Sequence, residues 1–219
     1  MAIRFCVFDV GQVCYPYSLE PLNYLMRKMS IQKDDFDKKG GVRSFNYNSF
    51  MKGEIDFSQF CKDLCFYCGV DYSKDMGVLI DEAMHKGVGD FYVETLAIMS
   101  ELRFKGIEVC LLSNALPNLS TTAQGLVSDD KIFVSYELGL LKPDVEIYRQ
   151  VLKKLNARPE EVVFIDDKLK NVEAAKSIGI CGIVFNKDTI IKDVRKLMNC
   201  QPSLTNGKNS LLQSGEEAD

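Results

Sequence analysis

Four short apolar runs, each closed by a polar residue, constrain this chain more than any other feature. They are IRFCVFD at 3–9, IEVCLLSN at 107–114, EVVFIDD at 161–167 and GICGIVFN at 179–186. Their length and their Val, Ile and Phe content suit strands buried on both faces. Helix-period segments lie between them. VEIYRQVLKKLN puts Val145, Tyr148, Val151, Leu152 and Leu155 on one side, and VETLAIMSELRFKG runs to Gly106, a helix stop. Alternation of this kind predicts an α/β fold, a doubly wound parallel sheet covered by helices on both faces.

The first run stands far from the second, whereas the later strand and helix units follow at ordinary spacing, so an insertion is expected. Residues 15–90 carry an amphipathic helix with Leu19, Leu22, Leu25, Met26 and Met29 at helical spacing, then DKKGGVRSFN as a flexible break and two further helical stretches. We read 1–14 and 91–200 as the core and 15–90 as a small α-helical cap over the exit of the first strand. After Cys200, QPSLTNGKNSLLQSGEEAD loses periodicity and reads as a disordered tail over 201–219, or as the cut edge of a longer chain.

With 219 residues, 46% of them hydrophobic and 26% charged, the chain can bury one sizeable core. A formal charge of −4 argues against a nucleic-acid partner, which usually meets a concentrated basic field. No stretch has the roughly 18 to 20 apolar residues of a membrane helix, and MAIRFCVF is too short for a signal-peptide core, so a soluble, cytoplasmic protein is expected. Oligomeric state stays open. Cys6, Cys110 and Cys181 sit inside strand-like runs as small hydrophobes, and reduced cysteines are expected. Cys61, Cys65 and Cys68 share one helix face, but a zinc site would want a fourth ligand and His85 is the sole imidazole. Phe57, Phe60 and Leu64 lie on the same stripe, which favours an ordinary buried face.

In an open parallel sheet, ligands bind beyond the carboxyl ends of the strands. Asp9, Ser113, Asn114, Asp166 and Asp167 all fall on that edge. Two like charges 4 Å apart repel by about 4 kcal/mol at an effective dielectric of 20, so converging carboxylates ask for a cation. Oxygen ligands with room for water and phosphate suit Mg²⁺ better than zinc or copper. Each piece also has a plainer explanation: an Asp after a strand often opens a loop, SN and KP pairs occur in many turns, and Asp167 could cap a helix.

Taken in order, FDVGQV, LLSN, LGLLKPDVEIY and VVFIDDKLKN resemble the four signature motifs of the haloacid dehalogenase superfamily, over residues 1 to about 198. MKGEIDFSQF at 51–60 resembles a segment of that family's small caps. In detail the chain looks like the branch holding bacterial sugar-phosphate phosphatases and the amino-terminal phosphatase domain of soluble epoxide hydrolase. The resemblance implies a Rossmann-like core and a phosphatase. Asp9 would be the nucleophile that becomes an aspartyl phosphate. Ser113 and the backbone amide of Asn114 would hold phosphoryl oxygens, and Lys142 would neutralise charge there while pairing with Asp9. Asp167 would bind Mg²⁺, Asp166 would support it, and the Gly11 carbonyl would add a ligand. The partner would be a phosphorylated small molecule or, as for some members including bacterial proteins delivered into host cells, a phosphotyrosine protein.

Most phosphatases of the superfamily carry a second Asp where this chain has Gly11. It protonates the leaving group and then activates water. Glycine there also permits a backbone turn that other residues resist. A positioned general acid is worth about 10² to 10⁴ in rate, or roughly 3 to 5 kcal/mol. Without it, leaving groups that are already weak bases should be favoured, such as phosphotyrosine, other aryl phosphates or sugar 1-phosphates. Gln12, Cys14, Tyr15 and Tyr17 lie just beyond the nucleophile, and Tyr15 or Tyr17 could supply a replacement acid, although packing suits both. Two further readings compete: a phospho-ligand binding module with little catalysis, and a metal-independent carbon-halogen hydrolase.

Overall fold

The computed structural model describes residues 2–29, 36, 40–44, 46–115 and 126–199. Five parallel strands, β1 (Phe5–Phe8), β2 (Glu108–Ser113), β3 (Ile132–Val134), β4 (Val162–Asp166) and β5 (Cys181–Val184), form one sheet in the order β3-β2-β1-β4-β5. Each of the four apolar runs holds a strand. β3 was not expected, because three residues are too short to declare a period.

Between β1 and β2 lie α1 (Glu20–Met29), α2 (Tyr47–Met51), α3 (Phe57–Cys68) and α4 (Lys74–His85), followed by α5 (Val93–Phe104). The later helices are α6 (Ser135–Leu138), α7 (Val145–Leu155), α8 (Leu169–Lys176) and α9 (Ile190–Asn199). α5 stops where expected, with Gly106 taking φ +76°. The described part of the expected break at 37–46 holds a 3₁₀ turn, Gly41–Ser44, with Val42 fully buried. The tail expected at 201–219 lies outside the described residues.

Strand side chains alternate between two cores, the two-sided burial that the continuous apolar runs require. Cys6, Phe8, Val109, Leu111, Val163 and Ile165 pack against Ile98, Met99 and Leu102 of α5 and Ile190 and Val194 of α9. Phe5, Val7, Cys110, Leu112, Val162 and Phe164 meet α7 and Ala175 of α8 on the other face. Burying each large side chain is worth about 1.5–3 kcal/mol. The α7 stripe differs by one residue from the expected one, since Ile147 is buried and Val145 only half-buried. β5 departs from two-sided burial because it is an edge strand, and Val184 is exposed.

The helices between the first two strands build a third core of their own. Leu22 and Met26 of α1, Phe50 of α2, the Phe60, Cys61, Leu64, Cys65 and Cys68 face of α3, and Ile80 of α4 share it. The three thiols thus pack among aromatics and aliphatics, while His85 is exposed. Met29, expected on the α1 stripe, is exposed. Two antiparallel connections tie this insertion to the sheet, with Ser18 N–H donating to Gly87 O at 2.9 Å, Gly89 N–H to Pro16 O at 2.9 Å and Tyr92 N–H to Cys14 O at 2.8 Å.

Entry to β4 is fixed by Glu161, whose carboxylate accepts from Arg158 N–H at 2.9 Å and from the Arg158 and Arg4 guanidinium groups at 3.1 and 3.3 Å. The Arg158 backbone N–H first, then the Arg158 side chain, hold this carboxyl down from 4.5 to about 2. Because the folded value is depressed, the stabilisation is complete above about pH 4.5 and is lost as pH falls towards 2. Glu161→Gln is therefore expected to lower Tm at neutral pH, with the gap from wild type closing as the pH approaches about 2. A gap that stays constant across acid titration of both proteins would contradict this account.

Candidate active site

The register of the sheet brings the ends of β1, β2 and β4 together, since Phe8 lies beside Leu111 on one side and Ile165 on the other. Asp9 follows β1, Ser113 ends β2 and Asp166 ends β4, and all three are buried. Lys142 reaches them from the loop between α6 and α7. Gly139 ends α6 in a left-handed conformation, and Asp144 starts α7 by accepting from Glu146 N–H at 2.9 Å, so the chain between is free to turn inward.

The Lys142 ammonium has three donors, and each has a short contact. Asp9 Oδ1 is 2.8 Å away, Asp166 Oδ2 2.7 Å and the Leu112 carbonyl 2.9 Å. Its side chain is 1% exposed. Burial pushes the ammonium's pKa down, but Asp9 and Asp166 outweigh burial and hold it above its ordinary value. Asn114 fixes the loop itself: its Oδ1 accepts from Lys142 N–H at 2.9 Å and its Nδ2 donates to Lys142 O at 3.0 Å.

The three carboxylates are not equivalent. Both oxygens of Asp166 are taken, by Lys142, by Asn171 Nδ2 at 2.9 Å and by Lys168 N–H at 2.8 Å. Asp167 does not cap the helix that follows: α8 has no side-chain cap, and the N–H of Lys168 just before it is taken by Asp166. Burial tends to raise the Asp166 carboxyl, yet Lys142 and these hydrogen bonds hold it below the usual range. Asp9 Oδ1 accepts from Lys142 and from Val10 N–H at 2.7 Å, whereas Oδ2 takes no hydrogen bond from the described residues. Asp167 Oδ1 is buried without any hydrogen-bond partner, and Lys168 Nζ stays 3.8 Å from it. Burial holds both Asp9 and Asp167 above the ordinary carboxylate range.

Ligand atoms of Asp9, Asp166 and Asp167 lie within 4.8 Å of one another. One buried ammonium serves Asp9 and Asp166, and the half-exposed Lys168 approaches Asp167 only to 3.8 Å, so the three carboxylates are incompletely compensated and Asp167 Oδ1 is left without a hydrogen bond. An oxygen-loving divalent cation such as Mg²⁺ fits both observations. The Gly11 carbonyl is also free of hydrogen bonds from the described residues.

Gly11 itself corrects one expectation. Its φ is not positive, and a Cβ there would meet Tyr17 Cβ at 3.4 Å, an ordinary contact. No unusual turn demands glycine; the strained neighbour is Gln12, at φ 68°. Gln12 Nε2 donates to Tyr17 O at 2.7 Å, and Cys14 Sγ to Asp9 O at 3.3 Å. Tyr15 is buried edge-on against Phe91. Tyr15 bridges to Gly11 through its backbone, whereas the side-chain atoms nearest a Cβ at Gly11 belong to Tyr17. Asn171 was missed: it closes FIDDKLKN, and Tyr148 Oη donates to its carbonyl at 2.8 Å. Only the fold reveals that it orients Asp166.

A cavity of about 820 Å³ opens over these groups, floored by Asp9, Ser113, Asn114 and Lys142 and walled by insertion residues including Tyr17, Arg43 and Tyr47. That volume admits a small metabolite rather than a bare phosphate alone.

Residues 23–179 match the family model described as haloacid dehalogenase-like hydrolase. Pig bifunctional epoxide hydrolase 2 is 28% identical over 225 residues, covering 92% of this chain, which spans only 40% of that relative's length. The D-ribitol-5-phosphate phosphatase of Bacteroides thetaiotaomicron is 25% identical over 190 residues, covering 81% of this chain and 89% of its own. Among solved structures, a HAD family enzyme from Bacteroides thetaiotaomicron in its magnesium complex superposes with a TM-score of 0.71 at 22% identity, covering 90% of this chain and 100% of the other. The same enzyme with magnesium and inorganic phosphate gives a TM-score of 0.68 at 22% identity, over 85% and 96% of the two chains. These structural likenesses establish the shared fold.

Replacing Lys142 with Met would leave Asp9 and Asp166 buried without their counter-charge. A loss of about 3–5 kcal/mol is expected, read as a lower urea midpoint, and adding Asp166→Asn should restore part of it. An unchanged midpoint in Lys142→Met would disprove the ammonium's central role.

Proposed function

The chain belongs to the haloacid dehalogenase-like hydrolases, and from that membership we propose that it is a Mg²⁺-dependent phosphomonoester hydrolase acting through an aspartyl phosphate on Asp9. The observation that carries this reading is the cluster of three carboxylates beside one fully engaged buried ammonium, with Asp167 Oδ1 buried without a hydrogen bond. Asp9, Asp167 and the Gly11 carbonyl would hold the metal, with Asp166 in support. When bound, Mg²⁺ would neutralise charge on the transferring phosphoryl group.

Oδ1 of Asp9 is held by Lys142 and Val10, which leaves Oδ2 to attack phosphorus. Lys142 keeps the carboxylate oriented, and Ser113 with the Asn114 amide would bind phosphoryl oxygens as they turn in the transition state. The bond to the leaving oxygen breaks as the aspartyl phosphate forms. Water then attacks that phosphorus and returns Asp9 as a carboxylate. A cluster that must be relieved of negative charge suits a phosphate carried in with a metal. It would repel the carboxylate substrate of a metal-independent dehalogenase.

No carboxylic acid stands at Gly11 to protonate the departing oxygen. The enzyme should therefore favour substrates whose leaving group is a weak base, such as aryl phosphates, with phosphotyrosine among them, or sugar 1-phosphates. A phenol with a pKa near 10 leaves far more readily than an alcohol.

The decisive measurement is kcat/KM with Mg²⁺ for p-nitrophenyl phosphate, a phosphotyrosine peptide, glucose 1-phosphate and a phosphoserine peptide. Activity should rise as the leaving group improves and vanish in Asp9→Asn and on chelation. Gly11→Asp has room for its side chain and should raise turnover of the phosphoserine peptide by about tenfold or more, flattening the dependence. Equal efficiency on all four substrates in the wild type would refute the missing-acid account, and no turnover of any would leave a phosphate-binding module.

A further inference from the structure

Of the seven arginines in the sequence, six have partners that hold the guanidinium. Arg4, Arg27, Arg149, Arg158 and Arg195 pair with glutamates, and Arg103 donates to the Leu126 carbonyl. Arg43 differs. It is exposed, lines the cavity over Asp9 and has no acidic partner among the described residues; it lies near the phenols of Tyr17 and Tyr47, which line the same wall. The other basic side chains of the insertion on this wall are engaged, Lys52 by Glu54 at 3.4 Å and the His85 ring by Asp81 O at 2.8 Å.

The turn that presents Arg43 is tightly held. Gly41 takes φ +61°, and a Cβ there would fall 2.7 Å from Asn23 Oδ1, so only glycine fits. That same oxygen accepts from Val42 N–H at 3.1 Å, and Val42 is buried in the insertion's core. The guanidinium is thus fixed at its root and directed at empty volume. In-line displacement sends the leaving group away from the attacking oxygen of Asp9, so it extends from the floor into the cavity that the insertion walls.

We propose that Arg43, beside the Tyr17–Tyr47 pair, binds a second anionic group, a carboxylate or a phosphate, carried by the leaving group of the substrate. This rests on the phosphatase reading and narrows its substrate class to phosphomonoesters that bear another anion. A planar guanidinium presents paired donors matched to either oxyanion, and the two phenols supply further hydroxyls beside it.

The test compares three aryl phosphates that share one reacting group: phenyl phosphate, 4-carboxyphenyl phosphate and benzene-1,4-diyl bisphosphate. Wild type should show a KM about tenfold lower for at least one of the doubly anionic compounds than for phenyl phosphate, and which one identifies the source of the anion. Arg43→Gln should collapse that ratio and Arg43→Lys should restore part of it. No preference in the wild type, or an equal loss on all three substrates in Arg43→Gln, would overturn the subsite, the latter because Arg43 would then serve the transferring phosphoryl group. The same Kd ratio measured by calorimetry on Asp9→Asn protein reads the subsite without turnover, so the absence of hydrolysis would sink the phosphatase reading alone.

Discussion

One buried ammonium organises the carboxyl edge of this sheet. Lys142 joins the ends of β1, β2 and β4 through Asp9, the Leu112 carbonyl and Asp166, and it can do so only because its loop is clamped by Asn114 and restarted as a helix at Asp144. A charged group so enclosed is tolerable when every proton is accepted and its charge is opposed. The opposition here is excessive, with three carboxylates gathered around one buried cation. The same arrangement that makes the lysine secure leaves Asp167 to the distant, half-exposed Lys168, and its buried oxygen without a hydrogen bond marks where a further positive charge would be best placed.

The sheet was legible because buried parallel strands leave an uninterrupted apolar signal, and the polar residues closing the first three runs line the cavity, whereas Asn186 at the end of the fourth does not. β3 was not, since three residues carry no period. The candidate carboxylates, Ser113 and Lys142 could be read from the motifs they end or sit in. Asn171 could not, because orienting Asp166 depends on α8 folding back five residues later. The stripe errors have the same origin. Helical spacing places Val145 near the α7 face and Met29 near the α1 face, but which residues at the stripe's margin are covered is decided by the neighbouring elements.

Gly11 illustrates a subtler limit. Sequence alone offers two explanations for it, a backbone turn or a missing acid, and the turn disappears once φ is known. A Cβ would fit there, bordered by Tyr17 at contact distance, which leaves the missing-acid reading as the proposal. Tyr17 is not itself a good substitute for a carboxylic acid. Burial pushes its hydroxyl above the ordinary phenol value despite the opposing influence of Tyr47 and Arg43, so proton donation to a leaving alkoxide would be poorly driven near neutrality. A recognition role suits the phenol better.

Tyr17 also lies on the ribbon by which the insertion leaves and rejoins the sheet, opposite Val88, with its carbonyl tied to Gln12. The backbone that carries Asp9, the proposed nucleophile, thus continues within eight residues into the cavity wall at Tyr17. Thr95 Oγ1 donates to Val13 O at 2.5 Å, fixing the outgoing strand to the first helix after the insertion. On the proposed function, recognition of a leaving group and the placement of Asp9 would therefore belong to one short, hydrogen-bonded segment. In such an arrangement, the proposed lack of an acid at position 11 would be offset by tighter recognition of the departing group, because binding energy gained at a distance serves the reacting bond when the connection between them is stiff.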